Sequence, residues 1–434
     1  MRALILSTTM RRSLKLWTAI GVAISLPAAH AAHLQPLLTP TALALVGEGG
    51  EGGEAGGLPG SFRLDPFAKG DFKIDAKPVV AGYSKLVALT YLDALEGARM
   101  LNHALAALLE NPSEETLKQA RRAWIAARPA YLQSEAFRYY QGPIDQPASA
   151  SQRAGPEPRL NAWPLNEAVI DYVRGDPNAG LIQELKVPIS RKTILMRDQS
   201  SDEADVTTGY HAIEFLLWGQ DFNDKGPGNR PHQDFALDGE TQARRRAYLR
   251  ELGALLVEDL EFLSNSWRVD DPKSYASAFA RLPPIEAVGR MLAGVAMLAA
   301  EELTSERLTV ALDSGSQEDE HSCFSDNTPN DFKYNLRGIR NVYLGEYGSW
   351  RGAGLSTLVR AYDKELDLDM RKLLAQAETA IAAIPVPFDQ MLTTAPGSPE
   401  RGRAEAAVDS LYALAAGFKR VGKLLGVLVI APGA

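Results

Sequence analysis

Only one cysteine, Cys323, occurs among 434 residues. That excludes an internal disulfide framework and any four-cysteine zinc or iron–sulfur site within one chain. Histidine is also scarce, at six residues, so a catalytic zinc centre would have to take ligands from distant carboxylates. Positive charge is in deficit. The first 31 residues hold four cations (Arg2, Arg11, Arg12, Lys15) and no acid, so a formal net charge of −8 for the whole chain leaves −12 beyond them. A body this acidic repels nucleic acid and anionic lipid, and no nucleic-acid partner is expected. Hydrophobic residues at 45% and charged residues at 23% are ordinary globular values, which argues against wholesale disorder, a collagen-like fibre or a polytopic membrane protein. The length exceeds what one hydrophobic core supports, so two or three folded units are expected.

What is present begins with an address. A basic stretch through Lys15, an apolar run from Leu16 to Leu26 and the small residues Ala29-His30-Ala31 form the three parts of a secretory signal, with cleavage expected after Ala31. The apolar run is short for a membrane span, and no cysteine lies near the cut to take lipid, so the mature chain carries no expected transmembrane segment. The expected location is the periplasm, free or attached to an outer membrane. From Gly47 to Gly60 the chain is almost entirely Gly and Glu, and residues 32–77 are expected to be a flexible linker.

Beyond that the dominant period is helical. Tyr91, Ala94, Ala98, Leu101, Leu105 and Leu108 recur at steps of three and four, and the pattern stops at Asn111-Pro112. Ser113 followed by Glu114 and Glu115 reads as an N-cap with first-turn acids, after which Leu117, Ala120, Trp124, Ala127 and Tyr131 continue the period. Leu249, Leu252, Leu256, Leu260 and Leu263 form a further stripe, and long helices are expected from Ile285 to Leu312, Leu355 to Ile384 and Ala404 to Leu428. No alternating strand pattern stands out. The expected architecture is all-α, two related up-down bundles packed side by side, residues 78–225 and 240–428, divided by the Gly/Pro/Asn-rich segment Asn223 to Gly239.

The chemistry concentrates in Gly209-Tyr210-His211-Ala212-Ile213-Glu214. Residues three apart share a helix face, so the His211 imidazole and the Glu214 carboxylate can reach one point. Helix-borne His and Glu at this spacing serve iron and manganese in carboxylate bundles, usually with Glu first. Spacing alone describes a structural hydrogen-bonded pair equally well, and that is the commoner outcome. Thr207 or Thr208 could cap this helix. His103 reads as a packed histidine, His232 as a solvated one, and Trp124, Trp163 and Trp218 as core anchors.

Gly209, His211 and Glu214 as G-x-H-x-x-E, with Trp124-Ile-Ala-Ala-Arg128-Pro-Ala-Tyr131-Leu-Gln-Ser-Glu135, Trp163-Pro164 and Asn335-Leu-Arg-Gly-Ile-Arg-Asn-Val-Tyr-Leu-Gly345, resemble the imelysin family, whose members are also classed as imelysin peptidases. His321-Ser-Cys323-Phe-Ser-Asp326-Asn-Thr328 resembles its iron-regulated protein A subgroup, related to EfeO-type iron-binding proteins. The resemblance spans roughly residues 80–425 and implies two related four-helix bundles with a site near their junction. By motif position it adds Glu135 to His211 and Glu214 as metal ligands, with Arg128, Tyr131 and Gly209 around them to orient a ligand or hold an anion. Pro129 is expected to kink the helix that carries them. Without the resemblance, Glu135 reads as an ordinary ion pair with Arg128 or Arg138. His321, Cys323 and Asp326 form a candidate second metal site, whose mixed donors name no particular metal.

The common helical zinc-peptidase motifs need two imidazoles on or beside the Glu-bearing turn, whereas Phe215 follows Glu214 here. Neither a serine nor a cysteine triad is evident, and no catalytic residue is assigned. The expected function is therefore an exported imelysin-type protein that binds iron and takes part in iron acquisition, with an iron-transport component as partner. Zinc or another divalent metal is the alternative cargo. A metallopeptidase is the alternative function, and a third is a cleft that binds peptide, haem or another small ligand without catalysis.

Overall fold

The computed structural model describes residues 61–66, 72–149, 152–223 and 225–431. The expected export signal, its cut after Ala31 and the Gly/Glu stretch ending at Gly60 lie outside the described residues. No helix among those described is long and apolar enough to cross a membrane.

The expected hairpin forms first. Helix α1 (Lys77–Glu110) buries Tyr91, Ala94, Ala98, Leu101, Leu105 and Leu108 on one face. Helix α2 (Glu114–Ser134) starts in a reciprocal cap, in which the Ser113 hydroxyl accepts from the Thr116 N–H at 3.2 Å and the Thr116 hydroxyl accepts from the Ser113 N–H at 3.0 Å. It runs without interruption through Pro129. Helix α3 (Gly209–Trp218) and helix α4 (Glu240–Ser266) complete the first group: α4 lies along α1, and α3 packs between α4 and α2. Asn223 to Gly239 lies between α3 and α4 in the chain.

The second group contains α5 (Pro284–Met297), α6 (Thr328–Leu344), α7 (Lys364–Ala382) and α8 (Pro399–Leu425). Helix α5 continues through twelve residues of wider, π-type winding, Leu298–Thr309, into a last α turn, Val310–Ser314. In this winding residues five apart share a face, as when the Thr309 hydroxyl donates to the Thr304 carbonyl at 2.8 Å. The groups meet where α6 lies along α2. Gly338 is the point of approach, since a Cβ there would stand 2.3 Å from the Gln133 carbonyl oxygen.

Three expectations need correction. The stretch to residue 77 is not wholly a linker, because Phe62–Leu64 pairs antiparallel with Val427–Val429, and a second two-residue pair joins Glu346–Tyr347 to Trp350–Arg351. Strands of two or three residues are too short to show an alternating pattern. The helix expected from Leu355 to Ile384 is two helices, Leu355–Tyr362 and α7, because extended Asp363 caps the second by accepting from the Leu366 N–H at 3.0 Å. His103 is exposed rather than packed.

Candidate functional site between the helical groups

All ten residues of α3 are buried. Neither Thr207 nor Thr208 caps the helix, for both hydroxyls donate instead to the Asp198 carboxylate. The shared face predicted for the motif is present, with His211 Nδ1 2.9 Å from Glu214 Oε2. The other Glu214 oxygen accepts from the Ser325 N–H at 3.0 Å and the Ser325 hydroxyl at 2.7 Å. His211 Nε2 is buried with no hydrogen-bond partner.

A second imidazole stands against the first. His321 and His211 rings lie 4.6 Å apart, edge to face, and His321 Nδ1 is 2.6 Å from Asp331 Oδ2 on α6. The half-buried Trp163 packs on the far side of His321, 5.6 Å between centroids, and its indole N–H donates to the Glu320 carbonyl. It is a wall of this site more than a core anchor. Both imidazoles repeat one arrangement: a carboxylate fixes Nδ1, leaving Nε2 for another partner, which for His321 is the Asn161 amide nitrogen at 3.3 Å.

Glu135 does not join His211 and Glu214. It sits in the turn after α2, wholly buried, and Arg307 from the π segment pairs with its Oε2 at 2.7 Å, while Asn335 and Asn161 amides donate to its two oxygens. Neither Arg128 nor Arg138, the expected partners, holds it. Arg128 donates to Asn161 Oδ1 at 2.6 Å, lies over the Tyr210 ring at 4.9 Å and stands 3.6 Å from Asp331. Tyr131 is buried beside Tyr210, their rings 5.1 Å apart. The Asn161 amide thereby links Arg128, Glu135 and His321 in one network. Arg307 extends it to Glu302, five residues earlier on the π winding at 2.8 Å, and Glu302 accepts from the Tyr139 hydroxyl and lies 3.7 Å from Arg138.

The residues of the candidate second site have different surroundings. His321 belongs to the first centre. Cys323 is buried, and its thiol is pushed up by burial and then by Glu214. Asp326 turns to another place, where burial and the neighbouring Asp389 and Asp221 raise its carboxyl to about 7. Among the described residues, no three His, Cys, Asp or Glu side chains are gathered as a metal-holding group.

Burial also sets the charge states of the centre. It lowers His211 and His321 well below the usual histidine value and raises Glu214 to about 8. For Glu302 burial is outweighed by Arg307 and Arg138, which hold its carboxyl down at about 2. Glu157 is the reverse case: burial pushes it up to about 7, despite Arg138 at 3.3 Å. The folded chain then keeps a proton on Glu157 that the unfolded chain releases from about pH 4.5 upward. Stability on this account falls as pH rises through that window, whereas the Glu302 contribution stays intact across it. Urea midpoints should therefore be lower above the window than below it, and Glu157→Gln should flatten the difference whatever it does to absolute stability. An unchanged pH slope in that variant would remove Glu157 as the cause.

Of the residues that build the centre, Arg307, Asn161 and Asp331 carry no helical-spacing or ligand signal of their own, and Asn335 stood out only through the family motif. Gly209 has a backbone role. Its φ is +83°, and a Cβ would stand 2.6 Å from the Leu160 carbonyl oxygen, so the residue seats α3 against the segment that carries Asn161.

The chain has relatives among known proteins. Iron-regulated protein A of Synechococcus elongatus is 24% identical over 333 residues, 75% of this chain and 80% of that protein. A crystal structure from Parabacteroides distasonis, provisionally named an iron-regulated protein A precursor, superposes with a TM-score of 0.63 at 21% identity, covering 83% of this chain and 98% of the other, and shows the same helical fold. The family model for imelysin, peptidase M75, matches residues 87–417. The chain belongs to the imelysin family.

Proposed function

We propose that this is an exported, iron-related imelysin protein that carries a metal ion, iron before others, in the buried centre between its two helical groups. The supporting observation is His211 Nε2, a buried imidazole nitrogen without a partner, whose Nδ1 is fixed by Glu214 and whose ring packs against a second carboxylate-fixed imidazole, His321. Imidazole nitrogens backed by carboxylates are the usual presentation of histidine to a metal. Glu135 supplies a further carboxylate to this reading. Its Oε1 and His321 Nε2 both contact the Asn161 amide nitrogen, at 2.7 and 3.3 Å, so on this reading a cation takes the place of that N–H donor and Asn161 swings aside on loading. The name of the Synechococcus relative records regulation by iron, which favours iron among the candidate metals. A serine or cysteine peptidase gains no support at this centre, where the Ser325 and Ser322 hydroxyls donate to carboxylates and burial holds Cys323 as a thiol, whereas a metallopeptidase would take its nucleophile from metal-bound water and is separated by the test below. Export to the periplasm follows from the basic, apolar and small-residue stretches ending at Ala31.

The test is metal content by mass spectrometry after anaerobic reconstitution with iron, zinc, manganese and copper in competition, on the chain purified from an exporting host. Near-stoichiometric iron, lost in His211→Ala and in Glu214→Ala, is the expected result. Stoichiometric zinc with cleavage of a protein substrate would move the assignment to a metallopeptidase, and folded protein without metal would end the carrier reading. The N-terminal mass of the same sample should begin at Ala32.

A further inference from the structure

The segment Asn223 to Gly239, rich in Gly, Pro and Asn, has no part in the buried centre. Its residues Asn223, Asn229, Arg230 and Pro231 form one wall of a cleft at the C-terminal end of α3, with a volume of about 400 Å³, whose other walls are the turn at Tyr172–Arg174 and the loop after Trp218. We infer that this cleft binds a small organic anion with a flat apolar body, an aromatic carboxylate being the simplest member of the class.

Charge is the first argument. The chain is acidic overall, yet two guanidinium groups, Arg174 and Arg230, line the cleft, and a third, Arg121, donates to the Arg230 carbonyl. Arg230 is balanced by Asp171 and Asp234. Among the described residues Arg174 and Arg121 have no carboxylate partner: Arg121 spends its donors on the Leu217 and Arg230 carbonyls, and Arg174 lies flat on Phe222 with its guanidinium carbon 3.3 Å from the ring centroid. Buried Arg230 also keeps one nitrogen, Nε, without a hydrogen-bond partner, close to Gly219 in the cleft lining.

Shape and apolar surface are the second. Phe222 is 44% exposed in a loop, whereas Trp218 is buried, with Arg121 over its indole at 5.6 Å. An exposed phenyl ring carrying a guanidinium whose donors remain open suits a planar ligand with a carboxylate at its edge. The exposed Asn229 side chain supplies a further amide. Neither Arg174 nor Phe222 holds α3 in place, because the Trp218 carbonyl is taken by the Arg230 N–H at 2.7 Å and the Leu217 carbonyl by Arg121.

Isothermal titration calorimetry with salicylate, and with benzyl alcohol as the uncharged control, separates the two arguments. Salicylate should bind the intact chain about tenfold or more tighter than benzyl alcohol, reflecting a charge-assisted hydrogen bond. Arg174→Ala should erase that difference, and Arg174→Lys should restore only part of it, because a lysine keeps the charge without the planar fork. Phe222→Ala should weaken both ligands. Both positions are exposed, so the variants should keep the parent's unfolding midpoint, and metal content should be unaffected by either, which separates a failure here from a failure of the metal reading. No heat with salicylate at millimolar concentration, or equal salicylate affinity in Arg174→Ala, overturns the proposal.

Discussion

Arg307→Ala should cost the fold about 3–5 kcal/mol, the range for removing one partner of a buried ion pair. Arg307 is completely buried and neutralises two buried carboxylates, Glu135 at 2.7 Å and Glu302 at 2.8 Å, while donating to Asn335 Oδ1 at 2.6 Å. Truncation leaves both acids without that countercharge, and Glu135 would keep only the neutral amides of Asn161 and Asn335. Because Glu135 ends α2, Arg307 lies on the π segment and Asn335 is on α6, the loss falls on the contact between the two helical groups. Urea unfolding followed by far-ultraviolet circular dichroism measures it. The paired variant Glu135→Gln with Arg307→Met removes a charge of each sign and should be less damaging than Arg307→Ala alone, since a buried charge without its partner costs more than a neutral pair. A loss below about 1 kcal/mol in Arg307→Ala would mean that water reaches this network and the groups are held by apolar packing alone.

The reason Arg307 was invisible in the sequence is geometric. An α-helical period puts residues three and four apart on one face, and by that rule Glu302 and Arg307 diverge. The π winding brings positions five apart together, and nothing in the local composition announces it. Asn161 and Asp331 are hidden for another reason: each acts through contacts across more than a hundred residues or across helix groups, which periodicity does not encode. What was legible is local. The stripes of α1, α2 and α4, the Ser113 cap and the His211–Glu214 face all follow from spacing within a few turns, and each is present. Glu135 shows the boundary between the two kinds of information. Motif position singled it out, but its immediate partners are an arginine and two amides contributed from elsewhere, which spacing along one helix does not encode. The same holds for His321, whose neighbour in sequence, Cys323, has a raised thiol pKa, whereas its neighbour in space is the imidazole of His211.

Gly209→Ala should be the most damaging single change in the G-x-H-x-x-E segment, at roughly 2–5 kcal/mol, combining backbone strain with overpacking. Two independent costs meet there. With φ at +83° the backbone is in a region that a side chain disfavours, and the added Cβ would stand 2.6 Å from the Leu160 oxygen and 2.8 Å from the Arg159 oxygen, both main-chain atoms of a buried segment. Gly175 separates the two terms. Its φ of +89° is nearly the same, but a Cβ there meets nothing within 4 Å, so Gly175→Ala should cost only the conformational part, about 1 kcal/mol. The difference between the two variants is then the price of pushing α3 away from Leu160, and it carries a second readout. Leu160 precedes Asn161, whose amide reaches both Glu135 and His321, so displacement of that segment should disturb the histidine centre as well as the fold. Histidine ring resonances of His211 and His321 should shift in Gly209→Ala and stay in place in Gly175→Ala. Equal losses of stability in the two variants would show that the positive φ, and not contact with the Asn161 segment, is what glycine supplies at the head of this motif.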